Sequence, residues 1–200
     1  MRGILFKPDI WQAKLKVLEE FGTAQTRRLD GLKKINQEPD KWALLGAYQS
    51  ISDGSTYFVF SRVIRMAEIS PRYQVGETVY VKEAWCEDYY GQKIYYKSDG
   101  GESPGPKGFW RSPLFMPAWA ARYLITILDV KAERLQEITE EDCIGEGCPH
   151  ALITLAEVPM QEWYHHLWNS TNKDYPWENN PWVEAYRFKM AEKQESNNEV

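Results

Sequence analysis

Residues 123–135 read YLITILDVKAERL, and this stretch carries the clearest strand pattern of the chain. Branched and apolar side chains alternate there with polar ones, which is typical of a β-strand. The segment 139–147, TEEDCIGEG, follows it; Thr139 can cap a helix whose first turn is acidic, as the helix dipole favours. Gly145 or Gly147 then ends that helix. A strand followed by a short helix is therefore predicted at the centre of the fold.

Further elements are predicted on both sides of this unit. A helix over Ile10–Phe21, capped by Asp9 and stopped by Gly22, has apolar side chains on one face. Apolar or alternating runs predict strands at 3–6, 24–29, 79–85 and 182–190. Because strands dominate and helices separate them, the predicted fold class is α+β. We expect the strands to close, or nearly close, into one small β-barrel flanked by short helices.

The chain is predicted to form a single domain over 1–190. Turn residues bound an insertion at about 30–55, which contains a short predicted helix near Asp40–Tyr48. Residues 55–66, STYFVFSRVIRM, are predicted as one strand, and KIYYKSDG (93–100) as the hairpin partner of 79–85. Residues 100–113 are rich in Gly, Pro and Ser and predict a loop. The last ten residues, 191–200, lack apolar anchors and predict a disordered tail.

Composition narrows the class of protein. The chain has 200 residues and a net charge of −5, and acidic residues outnumber basic ones after position 132. Extensive non-specific DNA binding is therefore not expected, because it depends on many phosphate contacts. No apolar run approaches a membrane span, and no apolar leader occurs, so we expect a cytoplasmic protein without membrane contact. Its three cysteines form no CxxC pair, which favours reduced thiols.

No metal or cofactor is expected from the motifs. Cys143, Cys148 and His150 lie close in sequence, but no second pair of ligands follows at zinc spacing. His165 and His166 are adjacent on a predicted helix near Met160–Trp168, where neighbours point about 100° apart. The chain contains no phosphate-binding loop, dinucleotide signature or Ser-His-Asp arrangement.

The segment FGTAQTRRL (21–29) concentrates polar chemistry just after the first helix. Strand alternation places Thr26 and Arg28 on one face, with Gln25 and Arg27 on the other. Arginine grips phosphate or base edges well, yet both arginines are equally explained as surface charges. Stacking partners for a base are available among the tryptophans, namely Trp85, Trp110 and Trp119, although packing in the core is the commoner role.

Several blocks in a fixed order resemble the ASCH-domain proteins of bacteriophages and prophages. The blocks are QTRR (25–28), VGETVYVKEAW (75–85), RSPLFMPAWAAR (111–122), LITILDVKAERLQEITEEDCIGEG (124–147) and NPWVEAYRF (180–188). The resemblance implies a PUA-like β-barrel related to RNA-binding modules. A small bacterial branch of the group hydrolyses the acetyl amide of N(4)-acetylcytidine with a Lys-x-x-Thr motif and a Glu. By position, the Thr corresponds to Thr26, the Glu to Glu146, and the lysine falls on Thr23.

Three functions remain open from the sequence. The first is an RNA-binding or nucleotide-binding module whose cleft contains Gln25, Thr26, Arg27, Arg28 and Glu146. The alternative is an amidohydrolase acting on N(4)-acetylcytidine-like nucleosides, with Thr26 and Glu146 as catalytic residues. The third is a phage accessory protein that binds a host protein. Because Thr23 has no amine, hydrolysis requires another lysine to reach Thr26, and Lys7, Lys16 and Lys82 are the candidates. The alternative for Glu146 is an ordinary solvated acid near a helix end, with no role in binding or catalysis.

Overall fold

A computed structural model describes residues 1–105, 108–149 and 159–191, and it confirms the α+β class. The strands are β1 (Gly3–Leu5), β2 (Ala24–Arg28), β3 (Ala43–Gln49), β4 (Thr56–Arg62), β5 (Arg65–Ile69), β6 (Thr78–Lys82), β7 (Trp85–Glu87), β8 (Ile94–Tyr96), β9 (Leu124–Arg134) and β10 (Trp182–Met190). The α-helices in these residues are α1 (Pro8–Phe21), α2 (Glu140–Gly145) and α3 (Met160–Thr171).

The main sheet has five strands in the order β1-β6-β9-β10-β2. The predicted strand around 123–133 is its central member, β9, which pairs antiparallel with β6 on one side and β10 on the other. Strand β1 pairs in parallel with β6 at one edge, and β2 pairs antiparallel with β10 at the opposite edge. All the strands expected to share one barrel therefore lie in one sheet.

The sheet is open rather than a closed barrel. Within the described residues no backbone ladder joins its two edge strands, β1 and β2. The physical reason lies in β1, which is only three residues long because Pro8, three positions after Leu5, starts α1. A side chain crosses the gap instead, since the Arg28 guanidinium donates to the Leu5 carbonyl at 2.7 Å. The gap between β1 and β2 is called the seam below.

Local sequence sets the ends of helices α1 and α2, with one correction at the start of α1. Gly22 ends α1 in the left-handed conformation, as predicted, whereas the amino end begins with Pro8 and not with an Asp9 cap. Helix α2 starts with a capping box, in which the Thr139 hydroxyl accepts from the Asp142 N–H and the Asp142 carboxylate accepts from the Thr139 N–H. Both ends of these short elements are thus set by neighbours in sequence.

A second sheet corrects the prediction for the insertion. The helix expected near Asp40–Tyr48 is wrong, because Ala43–Gln49 is strand β3 and pairs with β4. The single strand expected over 55–66 is also wrong, since the chain turns at Val63 and forms the β4–β5 hairpin. The three-stranded sheet β3-β4-β5 covers 43–69, beyond the predicted insertion boundary near 55, and is called the inserted sheet below.

Another hairpin also differs from its prediction. Strand β8 pairs with β7, and not with the β6 segment of 79–85. The reason is that the chain leaves the main sheet after Lys82 and pairs locally with the next available strand. The predicted tail, 191–200, lies almost entirely outside the described residues.

One core joins the two larger sheets. Buried side chains of β1, β6, β9 and β10 pack with Phe58 and Phe60 of the inserted sheet. A smaller apolar cluster holds α2 and α3 together through Cys143, Tyr164 and Trp168. None of the helices in the described part of the chain has both the length and the apolar content needed to cross a bilayer.

Candidate functional site

A cavity of about 510 Å³ opens at the seam between β1 and β2. Its walls come from the end of β1, the start of α1, strand β2, the residue after α2, and one face of α3. Helix α3 covers the seam, so the cavity exists because the sheet does not close there. Ligand pockets in proteins commonly have volumes in this range.

The cavity brings together residues that are far apart in sequence. Thr26, Arg28 and Glu146 all line it, although Glu146 follows Thr26 by more than a hundred positions. Thr26 and Glu146 are both buried, with 4% of each residue exposed. Thr26 and Arg28 lie on the same face of β2, as strand alternation predicts. The third position, Thr23, precedes β2 and does not line the cavity.

Lys14 is the group that the sequence interpretation missed. It lies on α1, none of its side chain is exposed, and its ammonium donates to the Glu146 carboxylate at 2.8 Å. The same ammonium donates to the Glu146 carbonyl at 3.1 Å and to the carbonyl of Gln25. A signal was present, because Lys14 follows Trp11 by three positions and therefore lies on the buried face of the helix.

All three donors of the Lys14 ammonium are used, two of them on Glu146. Burial lowers the pKa of Lys14, and the Glu146 carboxylate opposes this effect by attraction and hydrogen bonding. The ion pair is within a protein interior, where an unmatched charge is costly. Lys14 therefore fixes the position of Glu146 relative to the peptide that precedes Thr26.

Glu146 is held from its other side as well. Its second carboxylate oxygen lies 3.3 Å from Arg27 and accepts from the Tyr164 hydroxyl at 3.5 Å. Burial raises the pKa of Tyr164 well above its ordinary value, and the neighbouring Glu146 charge adds to the effect. Tyr164 therefore remains a neutral hydroxyl donor. The carboxylate is thus oriented by three elements, α1, β2 and α3.

Arg27 forms ion pairs within the protein, so its charge is already compensated. Its guanidinium is fully buried and lies 2.7 Å from Glu133 and 2.9 Å from Asp142. Burial opposes its charge, but the surrounding carboxylates outweigh this and raise the pKa of Arg27. Gln25, on the same face of β2, donates to Asp142 at 2.8 Å. Gln25 and Arg27 therefore attach β2 to α2 and β9.

Arg28 is placed differently. Its guanidinium lies 4.8 Å from the centre of the Phe6 ring and bonds the Leu5 carbonyl. In the described residues it forms no ion pair with a carboxylate, and its Nε has no hydrogen-bond partner. Arg28 therefore brings an uncompensated positive charge to the cavity wall.

The predicted stacking tryptophans lie elsewhere. Trp85, the first residue of β7, is buried with Met116 and Ala120, and Trp119 packs edge-on against it at 5.6 Å. Trp110 lies in the adjoining loop and is half-buried. None of the three lines the cavity, whose aromatic walls are Phe6, Tyr164 and Trp168. Local sequence patterns do not indicate these rings, because their positions depend on how α3 covers the seam.

The three lysines proposed as replacements for the amine behave differently from one another. Lys7 lines the cavity, and its ammonium donates to the Ser170 carbonyl at 3.3 Å. Lys82 donates instead to the Leu114 carbonyl at 2.9 Å, and Lys16 is exposed on α1. Of this set, only Lys7 shares the cavity with Thr26.

The cysteines are free and buried at positions 86, 143 and 148, and burial raises the pKa of the Cys143 thiol to about 12. His150 lies outside the described residues. Across 1–105, 108–149 and 159–191, no cluster of three His, Cys, Asp or Glu side chains is placed to hold a metal ion.

Comparisons with protein-family models, with curated proteins and with solved structures give no match for this chain.

Proposed function

We propose that this protein binds a single nucleoside or nucleotide at the seam, within a PUA-like architecture of the phage ASCH type. The observation that carries the proposal is the orientation of Glu146. Glu146 lines the cavity, and its carboxylate is fixed by Lys14, Arg27 and Tyr164. A preorganised acceptor of this kind suits a ligand that presents N–H donors.

The dimensions and walls of the cavity support a ligand of one nucleotide unit. A volume of about 510 Å³ suits a small molecule that is largely surrounded by protein. Phe6, Tyr164 and Trp168 supply aromatic surface, which favours a planar base through stacking and apolar contact. A longer RNA strand would need an extended basic groove, which the net charge of −5 does not favour.

Of the two RNA pyrimidines, cytosine is the one whose edge matches a fixed carboxylate. Its exocyclic amino group donates hydrogen bonds, and Glu or Asp accepts from that group in known recognition patterns. Uracil presents an oxygen at the same position, which would face the Glu146 carboxylate without a proton between them. Hydrogen bonds to charged groups contribute about 1.5–3 kcal/mol, which corresponds to roughly 10-fold to 100-fold in affinity.

Isothermal titration calorimetry with cytidine and uridine tests the proposal. We expect cytidine to bind at least about tenfold more tightly than uridine. Glu146→Gln should reduce this preference, because an amide offers both a donor and an acceptor. Glu141→Gln is the matched control, since Glu141 is an exposed acid on α2, the helix that Glu146 follows. No measurable binding of either nucleoside, or an unchanged preference in Glu146→Gln, would contradict the proposal.

A second candidate function is hydrolysis of an acylated amino group, such as that of N(4)-acetylcytidine. It is favoured by Lys14, which returns an amine to the site although Thr23 has none. The Lys14 ammonium contacts both Glu146 and the carbonyl that precedes Thr26. Against it, each Lys14 donor already has an acceptor, so the bonded ammonium has no lone pair for the Thr26 hydroxyl. Binding is therefore the preferred function.

Mass spectrometry of cytidine released from N(4)-acetylcytidine separates the two functions. Binding alone predicts no release above the uncatalysed rate in the wild type or in Thr26→Ser. Release that persists in Thr26→Ser but disappears in Thr26→Val would assign a hydroxyl nucleophile and therefore hydrolysis. Thr23→Lys restores an amine at the position that the resemblance indicates, so activity gained only there supports a binding protein.

A further inference from the structure

The cavity is electrically asymmetric along its length. Glu146 lies at the level of Tyr164, near the start of α3. Lys7 lies at the level of Ser170, near the end of the same helix. These two helix positions are six residues apart, which corresponds to about 9 Å along the axis. The cavity therefore has an acidic end near the start of α3 and a basic end near the end of that helix.

The order of the residues along strand β2 shows the same separation of charge within the cavity. The peptide before Thr26 is tied to Glu146 through Lys14, so Thr26 belongs to the acidic end. Arg28 follows two residues later on the same face, about 7 Å farther along the strand. It reaches across the seam to Leu5, next to the chain segment that carries Lys7. Arg28 and Lys7 thus lie together at the basic end.

The two cations at the basic end are not neutralised by the protein. Within the described residues neither Lys7 nor Arg28 forms an ion pair, and both donate to backbone carbonyls. Asp30 also lines the cavity, but its carboxylate pairs with Arg72 at 3.4 Å. This differs from the acidic end, where Lys14 and Arg27 are matched by carboxylates. Two uncompensated cations on a cavity wall suit an anionic group, and both side chains bind phosphate well.

We propose that the ligand is a nucleoside 5′-monophosphate, with its base amino group towards Glu146 and its phosphate towards Lys7 and Arg28. The inference rests on the proposed nucleoside-binding function and adds the anionic group. A nucleotide spans the cavity from end to end, whereas a nucleoside leaves both cations without a partner. The aromatic walls lie between the two charged ends and contact the base.

Calorimetry with cytidine 5′-monophosphate, cytidine and inorganic phosphate tests the inference. The monophosphate should bind the wild type at least about tenfold more tightly than cytidine, and this advantage should shrink as salt is raised. Lys7→Gln should remove most of the advantage, because it should lower the affinity for the monophosphate far more than that for cytidine. Because Lys7 is exposed, this variant should fold normally. Arg28→Lys keeps the charge and should retain part of the advantage, whereas Arg28→Gln should not.

Arg65→Gln is the matched control, because Arg65 is an exposed arginine of β5 that does not line the cavity. It should leave all three affinities unchanged. Equal affinity for cytidine and its monophosphate overturns this inference while the nucleoside-binding function stands. The same holds if the advantage survives in Lys7→Gln and Arg28→Gln. Binding of neither nucleoside nor monophosphate overturns both proposals.

Discussion

The Lys14 ammonium lies in the protein interior. The free energy of placing it there depends mainly on one acid, Glu146. The ammonium is completely buried and contacts Glu146 at 2.8 Å. Removing one partner of such a pair leaves the other charge without compensation, which costs more than the pair itself contributes. The two side chains are therefore expected to be energetically coupled.

Lys14→Met should lower the free energy of unfolding by about 3–5 kcal/mol, because the Glu146 carboxylate then loses its closest cation. Adding Glu146→Gln should recover part of this loss, so the two effects should not add. Guanidinium denaturation at pH 7 measures all four members of the cycle. Lys16→Met, an exposed position on the same helix, should change stability by less than about 0.5 kcal/mol. Additive losses in the double variant would contradict the coupling.

Glu184 is a second buried acid, and the site does not use it. None of the residue is exposed, and one carboxylate oxygen has no hydrogen-bond partner among the described residues. The other oxygen accepts from the Tyr186 hydroxyl. Burial raises the pKa of the Glu184 carboxyl, and the hydrogen bond from Tyr186 only partly opposes this. Its ionised form is therefore a cost to the folded state at neutral pH.

Glu184→Gln should raise the free energy of unfolding at pH 7 by roughly 1–2 kcal/mol, since the amide mimics the protonated acid. Because the folded-state pKa is raised, the native protein holds the proton longer than the unfolded chain. The favourable contribution of protonated Glu184 to the free energy of unfolding is therefore fully present below the ordinary pKa of about 4.3. It is lost as the pH rises through the raised pKa of the folded state.

The advantage of Glu184→Gln should therefore vanish near pH 4, where wild type and variant both carry a neutral group. Urea denaturation at a series of pH values checks this dependence. A variant that is less stable at pH 7, or an advantage that does not change with pH, would show that the carboxylate is better accommodated than its burial indicates.

At the level of elements, α2 and the turn after it determine where Glu146 lies. The capping box at Thr139 starts the helix, and Gly147 ends it with a backbone φ of 102°. A Cβ at Gly147 would lie 2.9 Å from the Cβ of Ala13 on α1. The close approach of this turn to α1 is what brings Glu146 within reach of Lys14.

Gly147→Ala should therefore cost more stability than Gly22→Ala, although both glycines have positive φ. At Gly22 an added Cβ meets nothing within 4 Å, so only backbone strain of about 1–2 kcal/mol applies. At Gly147 the clash with α1 adds to that strain, for a total of roughly 2–4 kcal/mol. Chemical denaturation gives both values. Calorimetry should show weaker cytidine binding only in Gly147→Ala, and an equal loss of stability in the two variants would refute the steric argument.

At the level of the whole molecule, the inserted sheet belongs to the main core. Phe60 of β4 is fully buried and packs edge-on against Trp182 of β10 at 5.0 Å. Asn36, in the segment leading into the inserted sheet, accepts from the Trp182 N–H and donates to its carbonyl. The two sheets are therefore expected to unfold together.

Phe60→Ala should destabilise the entire protein by about 3–5 kcal/mol, because it leaves a cavity between the sheets. Tryptophan fluorescence and far-ultraviolet circular dichroism should report one shared transition in the wild type and in the variant. Ile64→Ala is the control, since Ile64 is exposed at the β4–β5 turn and should have little effect. Two separate transitions, with only one of them shifted in Phe60→Ala, would contradict a common core.

The structure was predictable from sequence wherever neighbours in sequence decide it. The strand at β9, the α2 cap at Thr139 and the Gly22 stop of α1 all follow from local patterns, and the structure confirms them. Local patterns failed at Ala43–Gln49, where pairing with β4 overrides a weak helical preference. The placement of Thr26 and Glu146 in one cavity followed from the resemblance, whereas no local rule indicates it.

The sequence by itself determined the fold class, most of the strands, and the residue types at the cavity: a hydroxyl, an arginine and a carboxylate. Only the tertiary structure decided that the sheet remains open at the seam, that Lys14 is the amine next to Glu146, and that Trp168 replaces the predicted tryptophans. The physical reason is range. Capping and alternation act within a few residues, whereas burial and ion pairing act between groups such as Lys14 and Glu146, which are 132 positions apart.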